Sequence, residues 1–323
     1  MGKRFLVFFL IAIAVSCSAR SWAKDQIEMS LAHVMSTSHP YHLASNKFRE
    51  LVEERSDGRI SITIFPGGQL GRQRDLAEMV SAGQVDFCLV WPGTLESYDP
   101  DLGVISFPFL FRDKEHLLKV INSDLAKDLF LPLEAKGLKV LTAFYNGTYN
   151  ILSKNSIRYP EDMKGIKLRV PPSALFVEMA KLLGSVVITT DFTEVPSAFQ
   201  TGGIDAEIQS SINIKEARHY EFARYLCRIK MAFLVEPFLM SMKRFNRLDM
   251  MDQKIILEAA QEAARYQIEK TEEREFLADI YLRNRGVEYF TPYYKTEWVQ
   301  AVSSLYKNHP EWDSLFEKIN AVP

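Results

Sequence analysis

Apolar residues recur along this chain with two alternating periods. Ile27 to Val34 reads as a strand, and His42 to Arg55 then carries Leu43, Phe48, Leu51 and Val52 at helical spacing. Ile60 to Phe65 alternates with period two and is closed by Pro66-Gly67-Gly68. A helix over Arg74–Ser81 and an apolar strand over Val85–Val90 complete a βαβαβ unit. Such a unit predicts an α/β fold with a mostly parallel sheet and helices on its faces.

The pattern restarts after Asn146. Strands are expected at Lys167–Val170 and Val186–Thr190, and helices at Ala174–Leu183 and Glu194–Thr201. A faint echo links the halves: Ser81-Ala82-Gly83-Gln84-Val85-Asp86 parallels Gln200-Thr201-Gly202-Gly203-Ile204-Asp205. In each, a glycine follows a helix as a left-handed cap, and an Asp leads into a strand. Asp252 to Arg285 then keeps helical periodicity without Gly or Pro, as one long helix across both halves or two shorter ones. Further helices are expected around Glu297–Lys307 and Glu311–Ile319.

The first residues have a different character. Lys3 and Arg4 precede an unbroken apolar run from Phe5 to Val15, and Ser21-Trp22-Ala23 has the small-x-small form of a cleavage site. The run falls short of the ~20 apolar residues that a membrane span requires. Residues 1–23 therefore read as an export signal, with a periplasmic mature chain that does not insert in the membrane. Anchoring at Cys17, within a weak lipoprotein-like Ala14-Val15-Ser16-Cys17, is the alternative.

Composition narrows the function. Of 323 residues, 39 are Lys or Arg and 41 Asp or Glu, a formal charge of −2 that argues against nucleic acid as a partner. Three cysteines cannot build a disulfide scaffold or a four-thiolate zinc site. After signal cleavage Cys88 and Cys227 remain, both in apolar runs; a disulfide and two separate buried thiols are both open. His39-Pro40-Tyr41-His42 lacks a third ligand nearby, and Pro40 disfavours a helix, so it reads as a surface loop and not a metal site. There is no nucleophile elbow, Walker loop or His-Glu-x-x-His motif.

What remains suits binding. In Ile166-Lys167-Leu168-Arg169-Val170-Pro171-Pro172 the prolines end the strand, which places Arg169 at its carboxyl end. Ligands of open α/β sheets bind beyond such ends. A guanidinium matches a carboxylate with two parallel hydrogen bonds, which Lys cannot do. A solvated strand-end arginine is the competing reading.

From about Gln26 onward the chain resembles the DctP-type solute-binding subunits of TRAP (tripartite ATP-independent periplasmic) transporters. The resemblance is carried by Met163-Lys164-Gly165-Ile166-Lys167-Leu168-Arg169-Val170-Pro171, by Gln69-Leu70-Gly71, by Tyr145-Asn146-Gly147-Thr148, by Phe192-Thr193-Glu194-Val195, and by Gln200 to Asp205. It implies a two-lobed binding protein, with a mixed, mostly parallel sheet in each lobe and a long helix spanning both. The lobes would be residues 24–146 plus 235–274, and 147–234 plus 275–323. They would close on a small organic acid, and a membrane permease would receive it.

Residue by residue, the resemblance assigns the ligand carboxylate to Arg169, standing in water when the cleft is open. It places Trp91, Phe192 and Gln209 in the pocket, against plain core packing for the two aromatics and a loop amide for Gln209. Where many relatives carry a second arginine, this chain has Tyr149, which favours a monocarboxylate with a cyclic or hydroxylated body. Glu207 and Glu236 are placed as further cleft-facing acceptors. The expected protein is a monomer that needs no cofactor, metal or catalytic residue. Rival expectations are a receptor that presents its ligand to a signalling partner, and a secreted hydrolase with a dispersed triad.

Overall fold

The computed structural model describes residues 26–323. The expected export signal and Cys17 lie outside the described residues. Two sheets organise the chain. The first contains β1 (Ile27–Ala32), β2 (Ile60–Phe65), β3 (Phe87–Leu89), β4 (Leu138–Thr148) and β10 (Phe233–Ser241), in the order β2-β1-β3-β10-β4. The second contains β5 (Asn150–Ser153), β6 (Lys167–Val170), β7 (Val186–Thr189), β8 (Ala206–Gln209), β9 (Tyr225–Cys227) and β11 (Glu288–Phe290), in the order β11-β9-β5-β8-β6-β7.

Each sheet is built on the same unit. β1 pairs in parallel with β2 and β3, and β6 pairs in parallel with β7 and β8. The sequence echo marks this repetition. Gly83 caps the helix Gln73–Ala82 at φ +76°, and Gly202 follows the helix Val195–Gln200 at φ +72°, both in the left-handed region open to glycine. Asp86 then accepts hydrogen bonds from the Ser30 backbone N–H at 2.8 Å and the Ser30 hydroxyl at 3.1 Å. Asp205 accepts from the Lys167 backbone N–H at 3.2 Å. In both lobes an aspartate ties the third strand of the unit to the first.

The chain passes between lobes on extended backbone. β4 continues into β5 through Tyr149, and β9 returns through residues 228–232 into β10. The crossings pair with each other: Tyr149 N–H donates to Ala232 C=O at 2.8 Å, and Met231 N–H to Tyr149 C=O at 2.9 Å. β10 lies antiparallel between β3 and β4, and β5 antiparallel between β8 and β9. Both sheets are therefore mixed.

A single helix, Met250–Asn284, makes the third crossing. Its first half buries Ile256 together with Ala259, Ala260 and Ala263, and the three alanines let it lie close on the first lobe. Midway, the Gln267 amide accepts from Tyr145 N–H at 2.9 Å and donates to Tyr145 C=O, as a neighbouring strand would. At its far end Leu282 joins the second lobe's core.

Three sequence expectations change. Pro40 occupies the first turn of a helix, Pro40–Arg55, where a missing N–H costs nothing, and His39 caps it by accepting from Tyr41 N–H at 3.1 Å. His39 is buried instead of lying on a surface loop. The helix expected over Glu297–Lys307 is two, Thr296–Ala301 and Ser304–Asn308. Residues 275–323 also do not all pack with the second lobe: Tyr306, Trp312 and Phe316 gather around Phe107 of the first. Cys88 and Cys227 are separate buried thiols in different sheets.

The two aspartate ties predict an ordered pair of stability losses. Asp86 also accepts from Arg244 Nε at 2.7 Å, so Asp86→Ala removes three hydrogen bonds and should cost about 2 kcal/mol in urea unfolding. Asp205→Ala, with fewer bonds at stake, should cost about half as much. An equal or reversed order would show that the ties are not what holds the strands.

Candidate ligand-binding site

The carboxyl ends of β3, β6 and β8 converge on one cavity between the lobes. It is lined by Arg169, Trp91, Tyr149, Phe192, Gln209 and Glu236, six of the seven residues expected from sequence. Contacts across the cleft hold it closed. Arg72 of the first lobe pairs with Asp191 at 3.2 Å and Glu194 at 2.9 Å of the second. Glu96 accepts from the Ser173 hydroxyl at 2.7 Å and so meets the N-terminus of the helix Ala174–Leu182.

Arg169 is the penultimate residue of β6, two before Pro171-Pro172 and at the carboxyl end as expected, and with the cleft closed only 3% of it is exposed. Its Nε and Nη2 both donate to the Thr190 carbonyl, at 3.0 and 2.8 Å. One edge of the guanidinium is thereby used by the protein, and the Nη1–Nη2 edge is left for a ligand. Burial lowers its pKa, and the charge of Glu207 acts against that; the group stays cationic.

Glu207 is the seventh residue, and the structure places it elsewhere. It pairs with Arg169 in the β6–β8 register, two residues back from the end of β8, and is fully buried. His219 Nδ1 lies 2.6 Å from its Oε1. Glu207 sits beneath the arginine as a counter-charge and not among the residues that line the cavity.

Trp91 follows β3, and its backbone N–H donates to Gln73 Oε1 at 2.7 Å. Its ring meets Phe176 edge-on at 5.4 Å and Tyr149 at 6.5 Å between centroids. Gly93 makes room for it, since a Cβ there would fall 1.9 Å from the indole Cζ3. Burial pushes the Tyr149 phenol well above its ordinary pKa, which leaves a neutral hydroxyl beside Arg169. Phe192 lies half-buried at the rim, 5.4 Å from the His219 ring.

Gln209 ends β8. Its Oε1 accepts from Ser210 N–H at 2.9 Å and from Asn213 Nδ2 at 2.8 Å. Glu236 projects from β10 and has no salt-bridge partner among the described residues; burial pushes its pKa up to about 8, against a hydrogen bond from Gln73. At neutral pH it is a carboxylic acid, able to donate as well as accept.

Sequence reasoning missed Arg72, Gln73, Asn213 and His39. Arg72 and Gln73 directly follow the Gln69-Leu70-Gly71 segment, and Asn213 lies one helical turn beyond Gln209, so proximity to those landmarks was the available signal. Nothing local marks His39, whose Nε2 lies 3.0 Å from Asn213 Oδ1 in the other lobe.

Residues 31–312 match the family described as DctP, bacterial extracellular solute-binding protein, family 7. The chain belongs to this family. Along its whole length this DctP-family protein is 27% identical to the 2,3-diketo-L-gulonate-binding periplasmic protein YiaO of Escherichia coli K12, covering all of both chains. Among solved structures, it resembles a TRAP periplasmic solute-binding protein from Xanthobacter autotrophicus Py2 with bound β-D-galacturonate. The TM-score is 0.88 at 28% identity, over 91% of this chain and 100% of that one. A TRAP periplasmic solute-binding protein from Haemophilus influenzae with bound L-gulonate aligns with a TM-score of 0.89 at 27% identity, over 92% and 100%. The DctP-family protein is thus a periplasmic TRAP solute-binding protein with the two-lobed α/β fold of its class, a class of non-enzymatic carriers. No helix among the described residues is long and apolar enough to cross a membrane.

The Glu236 carboxyl sets a pH dependence. From the ordinary carboxyl range near pH ~4.3 up to about 8, the folded protein holds a proton that the unfolded chain has released, so stability falls as pH rises through that window. Glu236→Gln keeps the shape and removes the titration. Urea unfolding of the ligand-free variant should show a flatter pH profile than wild type and higher stability at the alkaline end. An unchanged slope would place the proton elsewhere.

Proposed function

We propose that this protein captures a sugar acid with a single carboxylate, of the uronate or aldonate kind, and hands it to the membrane permease of a TRAP system. The observation that carries the reading is the free Nη1–Nη2 edge of Arg169 facing a cavity that offers one cation for a ligand and several neutral hydrogen-bonding groups. Arg72 is engaged with Asp191 and Glu194 at the rim, and Glu236 holds its proton. A second ligand carboxylate would meet no cation. Tyr149, Gln209 and Glu236 instead suit hydroxyls and a ring oxygen, while the edge of Trp91 suits a sugar's C–H face. The galacturonate and L-gulonate bound by the two structural relatives support the same chemistry.

In this reading Arg169, Trp91, Tyr149, Phe192, Gln209 and Glu236 contact ligand, and Glu207 acts through Arg169. The moving bodies are residues 26–146 with 235–274, and 147–234 with 275–303; residues 304–323 ride with the first lobe, on which Tyr306, Trp312 and Phe316 pack. Closure over the ligand is the population shift that binding drives.

A thermal-shift and calorimetric panel of D-galacturonate, D-glucuronate, L-gulonate, succinate and malate tests the ligand class. A sugar acid should bind most tightly; succinate or malate as the tightest probe would overturn the reading. Arg169→Ala should then weaken the best probe by ~100-fold or more, because the ligand carboxylate is left buried without a counter-charge. Arg169→Lys should retain part of the affinity, since charge survives without the fork. Since the guanidinium also offsets buried Glu207, Arg169→Ala should lower ligand-free stability by more than the ~0.5 kcal/mol typical of surface changes.

A further inference from the structure

Four side chains from both lobes form one hydrogen-bonded chain that ends in the cavity. Tyr41 N–H donates to His39 Nδ1 at 3.1 Å, so the His39 proton must sit on Nε2. Nε2 lies 3.0 Å from Asn213 Oδ1 and donates to it. Asn146 Nδ2 donates to the same oxygen at 2.8 Å. Asn213 Nδ2 is then free to donate to Gln209 Oε1 at 2.8 Å, where Ser210 N–H arrives as well at 2.9 Å. Backbone N–H groups terminate the chain at both ends, so its direction has one consistent solution. His39, Asn146, Asn213 and Gln209 are all buried, and burial holds the imidazole neutral by lowering its pKa to about 4.

We propose that His39 and Asn146, in the first lobe, act through Asn213 as positioning residues that turn the Gln209 amide NH₂ toward the ligand when the lobes close. Gln209 then offers the cavity donors only, because both acceptor directions of its oxygen are taken. A Gln amide free to flip would present its carbonyl part of the time, which repels a carboxylate oxygen and changes the hydrogen-bond role left to a ligand hydroxyl. Lobe closure and ligand recognition are thereby linked through one amide orientation. The inference deepens the sugar-acid reading and rests on it for the choice of probe.

Two substitutions at His39 separate its roles. His39→Ser keeps a helix-capping oxygen but cannot reach Asn213; His39→Gln keeps an N–H donor at comparable reach and alters the cap. With the tightest sugar acid of the panel as probe, His39→Ser should melt below wild type, because the buried imidazole leaves a void against Tyr41, and in its folded state should bind ~10-fold more weakly. His39→Gln should bind within ~3-fold of wild type. Wild-type affinity in His39→Ser, or the reverse order of the two variants, would reduce His39 to a helix cap and overturn the proposal.

A second arm reads the bridge directly, in protein saturated with whichever probe of the panel binds most tightly. In ¹⁵N-histidine spectra at pH 7, His39 should be the neutral Nε2–H tautomer, and Asn213→Ala should shift its Nε2 resonance. Identical His39 signals in both proteins would show that no bridge exists. If succinate or malate binds in place of a sugar acid, the ligand reading fails by itself, and this arm, run with that diacid bound, still decides for or against the bridge.

Discussion

Two backbone hydrogen bonds, between Tyr149 and residues 231 and 232, hold the crossing strands side by side at the point where the chain changes lobes. Much else follows from that pairing. Because the crossing strands enter each sheet antiparallel to the βαβαβ unit already there, the parallel strands of both lobes direct their carboxyl ends at a common cleft. Strand ends are where side chains can leave a sheet without disturbing its ladder. Trp91, Arg169 and Gln209 use those ends, and Tyr149 and Glu236 come from the crossing strands themselves. The pocket is thus a product of topology before it is a product of side-chain choice.

The charge balance inside it is economical. In the proposed reading Arg169 is the cation a ligand meets, and Glu207 offsets its burial from below while taking no place in the lining. Glu236 faces the same space but is held neutral by burial. The one other acid in the lining, Asp191, is already paired with Arg72, so an entering carboxylate meets no unpaired negative charge, and a neutral, hydroxylated body finds partners on either lobe.

Much of this was legible in the sequence wherever one short segment carried the information. Alternation and a double proline located β6 and the place of Arg169, and the glycine–aspartate echo located the repeated unit. The crossing strands were harder to see. β10 is buried along most of its length, so it shows no alternation, and Glu236-Pro237 in its middle argues against a central strand. A register shift just beyond Pro237 is how the sheet accommodates it. Glu207 was misplaced because alternation puts it on the same face as Gln209 without revealing its depth. His39 could not be recognised at all, since its role depends on Asn213, far along the chain, being brought to it by closure.

The glycine beneath Trp91 has a consequence for how such proteins diverge. Position 93 does not line the cavity, yet a single methyl there would collide with the indole of Trp91, which does, and force that ring to another position. Cavity depth is therefore held in part by a residue outside the set that ligands select upon. A lineage can enlarge or shrink its preferred solute through that one backbone position, keeping its arginine clamp and all its contact residues. Comparing lining residues alone would then find two receptors alike that accept molecules of different size.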